Sequence, residues 1–182
     1  MLYKILFIFT VLSVISCSEQ KDMSVAKYKT SIVKLTNFAV PKGEVILKIS
    51  GNISQKNQAD ELWLDTAQLQ KLPQLVVTTS TLWTKGESEF KGPLMRDVLS
   101  AIGNQASLIS AVAINEYKIE IPVSDMHTYN VILAMEKDGQ LLSLRDKGPL
   151  WLVYPWSSNK LLQEDKYYSR SIWQLVGLNL HD

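Results

Sequence analysis

Between Glu44 and Leu180 the chain breaks into about eight short runs of strand character, with two or three short helices inserted irregularly. That pattern constrains the fold more than any other feature. EVILKISGNIS is rich in β-branched residues and ends in the turn pair Gly51-Asn52; QLVVTTSTLW, SLISAVAI, YKIEIP, VILAMEKDGQLLS, LWLVY and SIWQLVGLNL follow. Asp138-Gly139 reads as a hairpin turn. A short helix is expected after Asp65, with Gln68 completing a capping box and Pro73 forbidding continuation. The clearest helix is GPLMRDVLSAIG, which opens near Pro93, stops at Gly103 and places Leu94, Val98, Leu99 and Ile102 on one face. Strands with a few irregularly inserted helices exclude a regular βαβ alternation, so the class is α+β with a mostly β core.

The core must hold this fold unaided, because Cys17 is the sole cysteine and no intramolecular disulfide can form. The beginning of the chain, MLYKILFIFTVLSVISC, has one lysine before an apolar run too short to span a bilayer comfortably, as in a secretory signal. Val14-Ile15-Ser16-Cys17 resembles the bacterial lipoprotein box, which makes residues 1–16 a signal peptide and Cys17 the lipidated anchor. Residues 17–30 then form a polar tether, and 31–182 the folded domain. The expected location is the periplasm, on a bacterial membrane. Without residues 1–16 there are 18 basic against 18 acidic residues, so no cationic excess exists for a nucleic-acid backbone.

Few instruments of catalysis are visible. His127 and His181 stand far apart, no pair of cysteines or histidines has metal-ligand spacing, and no nucleophile elbow or phosphate loop occurs. His127, in the polar stretch SDMHTYN, reads as a surface residue.

VVTTSTLWTKGESEFKGPLMRDVLSAIG, YKIEIPVSDMHTYNVILAMEKDGQLLSLRDKGPLWLVYPW and SRSIWQLVGLNL together resemble the molybdopterin-binding domain of sulfite oxidase and of periplasmic methionine-sulfoxide reductases. The corresponding pieces are the helix from Gly92 to Leu99, the hairpin from Asp138-Gly139 to Leu142, the segment Gly148 to Pro155, and Arg170. The resemblance implies that fold: a mostly β domain with a few short helices. It also implies a metal-binding cysteine in the loop before the helix. Here that loop reads TTSTLWTKG, with Ser80 or Thr81 near the cysteine's place, and a hydroxyl does not replace a soft thiolate. An arginine that such enzymes use on the cofactor's phosphate aligns with Trp151, which exchanges fixed donors for a flat apolar face and suggests a neutral aromatic ligand.

This combination resembles the PruR-type periplasmic pterin-binding regulators. It implies a non-catalytic protein that binds a reduced pterin, for example one like tetrahydromonapterin, and acts on the periplasmic domain of an inner-membrane diguanylate cyclase or phosphodiesterase. The alternative is a molybdopterin-dependent oxidoreductase. For the pterin, the resemblance nominates Thr79, Ser80, Thr81, Trp83, Tyr168, Ser169 and Arg170, with Asp125 and Asp146 as carboxylates for the amino-amidine edge. Trp83 reads equally as pocket wall and as core. Most of GPLWLVYPW is core by its alternation, while Tyr154 and Trp156 at its end are candidates for a pocket rim.

Overall fold

The computed structural model describes residues 37–182. Cys17, the signal segment and the tether lie outside the described residues. Three sheets organise the domain. In the first, β1 (Val45–Gly51), β2 (Leu62–Asp65), β5 (Leu108–Ala113), β6 (Lys118–Pro122) and β11 (Leu175–His181) run in the order β2-β1-β11-β5-β6. Among the described residues only β1 and β11 pair in parallel, with Lys48 opposite Gly177 and Gly51 opposite Leu180. The second sheet joins β3 (Gln74–Ser80), β4 (Glu87–Pro93), β8 (Glu136–Lys137) and β9 (Gln140–Leu141) in antiparallel order. The third pairs β7 (Ile132–Ala134) with β10 (Trp151–Val153).

Both expected helices form. In α1 (Thr66–Gln70), Asp65 Oδ1 accepts from Gln68 N at 2.9 Å while Asp65 N donates to Gln68 Oε1 at 3.1 Å. These two bonds satisfy groups that a helix start otherwise leaves open. The second helix, α2 (Met95–Ala101), buries Val98, Leu99 and Ile102, and Gly103 ends it at φ +66°, where a side chain would be strained. Asp138 and Gly139 both have positive φ and turn β8 into β9.

The strand readings need three corrections. QLVVTTSTLW leaves the sheet at Ser80, so Thr81–Gly86 is a turn rather than a strand end. VILAMEKDGQLLS is divided into β7, β8 and β9, because Met135 N bonds sideways to Lys91 O at 2.9 Å. SDMHTYN holds a further helix, α3 (Val123–Thr128), and α4 (Asp165–Arg170) precedes the last strand. Arg170 is therefore the last residue of a helix.

The apolar core runs through all three sheets and includes Leu47, Leu64, Phe90, Ile121, Leu133 and Leu152, each fully buried. Strand β10 is buried on both faces, as the alternation within GPLWLVYPW requires. At Gly92, where β4 comes against β7, a Cβ would collide with the Leu133 carbonyl, so only glycine permits the approach.

Candidate functional site

The turn Thr81–Gly86 is shaped by its own threonines. Thr81 Oγ1 accepts from Trp83 N at 3.1 Å and donates to Thr84 Oγ1 at 3.1 Å, and Thr84 Oγ1 donates to Gly86 O at 3.2 Å. Such hydroxyl-to-backbone bonds stabilise turns locally. One residue upstream, Ser80 N donates to Ser157 Oγ at 3.0 Å, and Thr79 Oγ1 accepts from Ser157 N at 3.0 Å. Thr79, Ser80 and Thr81, nominated as ligand contacts, thus bond to the protein itself. They fasten the end of β3 and aim the indole that follows.

That indole, Trp83, lies at the centre of an aromatic cluster. Its ring centroid is 4.6 Å from Trp173, 5.9 Å from Trp151, and 6.4 Å from both Trp156 and Tyr168, every pair meeting edge to face. Tyr168 stacks on Trp156 at 5.8 Å. Edge-to-face and offset pairs are the favoured arrangements of rings, each worth about 0.5–1.5 kcal/mol beyond buried area. Trp83 is half-buried, while Trp151 and Trp156 are buried. It therefore belongs to both alternatives left open by the sequence: one flank packs on the core and the rest lines open space.

The open space is a cleft of about 300 Å³, lined by Trp83, Tyr168, Ile172, Trp173, Tyr117 and Asn115 together with Ala113, Ser169 and Ser171. Predominantly apolar walls with a few polar groups suit a flat heterocycle. A second cleft of about 170 Å³ shares Trp83 as a wall and is otherwise lined by Thr84, Lys137, Arg145, Asp146, Lys147 and Trp151. Lys147 Nζ stands 4.8 Å from the Trp173 ring centroid and 5.8 Å from that of Trp151. The cleft that Trp151 lines is bordered by three cations, Lys137, Arg145 and Lys147, and by one carboxylate, Asp146.

Of the nominated residues, Trp83, Tyr168 and Ser169 line the apolar cleft and Asp146 the basic one. Tyr154, Asp125 and Arg170 are brought together elsewhere. Tyr154 Oη and Arg170 Nη1 both donate to Asp125 Oδ2 at 2.8 Å. Beside them, the Tyr129 and Tyr167 hydroxyls are 2.9 Å apart. Burial pushes the Tyr154 phenol far above its ordinary range, and the Asp125 charge adds to this, so it remains a protonated donor. Arg170 and Asp125 satisfy one another, and neither lines the cleft as the sequence reading had it. Trp156 and Tyr154 are core rather than rim, at 1% and 0% exposure. Trp156 Nε1 is buried without a hydrogen-bond partner among the described residues, which costs stability in the free protein.

Trp173, Tyr117, Asn115 and Ile172 were missed. Trp173 reads as part of a final strand, yet that strand starts at Leu175, and Trp173 bridges instead to Trp151. His127 is exposed, as expected. No group of three or more His, Cys, Asp or Glu residues could hold a metal ion among the described residues.

The family model described as oxidoreductase molybdopterin binding domain matches residues 27–161. None of the curated proteins matches the chain. Among solved structures, the sulfane dehydrogenase SoxCD from Paracoccus pantotrophus is similar in fold, with a TM-score of 0.58 and 17% identity over 79% of this chain. The match spans 39% of that longer chain.

Proposed function

Because the chain belongs to the oxidoreductase molybdopterin-binding domain family, we propose that it keeps pterin recognition without metal chemistry. It is a non-catalytic, exported pterin-binding protein that relays its ligand state to the periplasmic domain of an inner-membrane enzyme that makes or degrades cyclic di-GMP. The supporting observation is the aromatic cleft around Trp83: a half-buried indole lines it, in the loop that the sequence resemblance sets against the enzymes' cysteine loop.

The residues fit one part of the family's cofactor and not the other. Trp83, Trp173 and Tyr168 offer faces and edges for a flat bicycle, and Asn115 offers an amide for its polar rim. The enzymes that the sequence resembles add a protein thiolate to the metal, and residues 37–182 contain no cysteine. The hydroxyls nearest the place, Thr79, Ser80 and Thr81, are engaged in shaping the turn. No reaction step is therefore assigned to this site.

Relay requires the loaded and free forms to differ in affinity for the partner. The turn that carries Trp83 also carries Leu82, which is 65% exposed. A pterin that displaces or clamps the indole moves an apolar side chain on the surface, and this couples pocket to partner.

Metal analysis combined with ligand extraction tests the reading. The protein purified from its exported location should contain no stoichiometric molybdenum and should release, on denaturation, a pterin that fluoresces after oxidation. One molybdenum per chain would instead establish the oxidoreductase.

A further inference from the structure

We propose that the aromatic cluster carries a single oxidising equivalent from Trp83, at the cleft, inward to Tyr154, which becomes a neutral tyrosyl radical as its proton passes to Asp125. This is a redox function separate from ligand recognition, and it does not rest on the pterin reading.

The first support is an unbroken run of rings. Trp83 is half-buried and lines the open cleft, whereas Trp156 and Tyr154 behind it are buried. The Trp83 and Trp156 centroids are 6.4 Å apart, and those of Trp156 and Tyr154 are 6.5 Å apart. Both spacings fall within the range of aromatic contact, so an electron crosses each gap from one conjugated side chain to the next. Indole and phenol are also among the side chains most readily oxidised by one electron.

The second support is the place prepared for the proton. A phenol that loses an electron becomes a strong acid, and the hole settles on it only where a base takes the proton. Tyr154 Oη donates to Asp125 Oδ2 at 2.8 Å, a short and buried path between the two groups. Arg170 Nη1 donates to the same oxygen at 2.8 Å and fixes the carboxylate in place. Burial keeps the Tyr154 phenol protonated at rest, so its proton leaves only with the electron. The neighbouring phenols lack this arrangement among the described residues. The Tyr129 and Tyr167 hydroxyls bond to one another at 2.9 Å, and Tyr168, stacked on Trp156, has no carboxylate on its hydroxyl.

A one-electron oxidant reaching the cleft, an oxygen- or nitrogen-centred radical, gains an electron and becomes the corresponding anion. Trp83 supplies that electron, Trp156 replaces it, and Tyr154 replaces the one lost from Trp156. The Tyr154 O–H bond breaks and an O–H bond forms on Asp125, leaving a phenoxyl radical and a neutral carboxyl. The oxidising equivalent thus ends on a ring shielded from water, and the indole at the cleft is restored.

Pulse radiolysis of the full chain with azidyl radicals tests this, in a Trp63→Phe background that removes the indole on β2, outside the cluster. Azidyl takes one electron from an accessible indole and becomes azide. The indolyl absorption should then decay with matching growth of the tyrosyl band, at a rate independent of protein concentration. Tyr154→Phe should abolish this growth and leave the indolyl band to persist. Asp125→Asn, whose amide takes up no proton, should abolish it too, whereas Tyr167→Phe should leave it intact. Cooperative urea unfolding checks that each variant is folded. Absence of tyrosyl growth in the background chain, growth that survives Tyr154→Phe, its loss in folded Tyr167→Phe, or a rate that rises with protein concentration overturns the proposal. Growth that survives in folded Asp125→Asn overturns the assignment of the proton to that carboxylate.

Discussion

If the proposed pterin reading holds, Trp83 is the residue on which binding should depend most. It contacts four other rings from a turn rather than from a strand, so its truncation opens the cleft without breaking a sheet. Trp83→Ala should weaken pterin binding by about ten- to a hundred-fold, consistent with a stacking contribution of about 1–3 kcal/mol for aromatic platforms. Fluorescence titration measures this. Asp125→Asn should behave in the opposite way. It weakens the pair that holds Arg170, whose side chain is 21% exposed, and should lower unfolding free energy in urea by about 1–2 kcal/mol after allowance for solvent screening. Pterin affinity should stay within about two-fold, because neither residue lines the cleft. Trp83 was legible in the sequence as a candidate because it stands among threonines and a lysine at the very end of a strand-like run. The Asp125–Arg170 pair was not: its partners are 45 positions apart, and only the docking of α3 beside α4 brings them within hydrogen-bond distance.

At the scale of elements, the capped helix and the threonine turn make separate predictions. Burial raises the Asp65 carboxyl, but the backbone N–H groups of Gly43, Gln68 and Lys42 outweigh it and leave the group below its usual range. A lowered folded-state pKa adds stability above the unfolded value of about 3.9, and that stability disappears as pH falls through the folded value. Asp65→Ala should therefore cost about 1 kcal/mol at neutral pH and progressively less below about pH 4, which chemical unfolding at several pH values measures. Thr84→Val removes the hydroxyl that closes the turn around Trp83, so indole fluorescence anisotropy should fall and pterin affinity should drop several-fold, with little change in the urea midpoint. The capping box, the Asp138-Gly139 hairpin and α2 were readable because their signals are local. The helices α3 and α4, six residues each, were not: fewer than two turns give no periodicity, and both lie in polar segments. The apolar cleft was half-legible for the same reason, since Tyr117 and Trp173 sit just outside strands to which the sequence assigns them.

As a whole, the molecule has a molybdopterin-binding-domain fold, and the turn after β3 carries an indole, Trp83. The proposed regulatory role requires the loaded and free forms to bind the partner differently. The pterin should change affinity for the partner's periplasmic domain by about 5- to 150-fold, and the partner should change pterin affinity by the same factor. The α+β class and the family were readable from the order of strands, helix and hairpin, whereas the division into three sheets depends on pairings such as β1 with β11 that join distant segments. The most direct test is isothermal titration of the metal-free, full-length protein with a reduced pterin. One site per chain, with the heat lost in Trp83→Ala, is the predicted result. No measurable heat across a series of oxidised and reduced pterins, neutral and anionic, from a protein that unfolds cooperatively would contradict it.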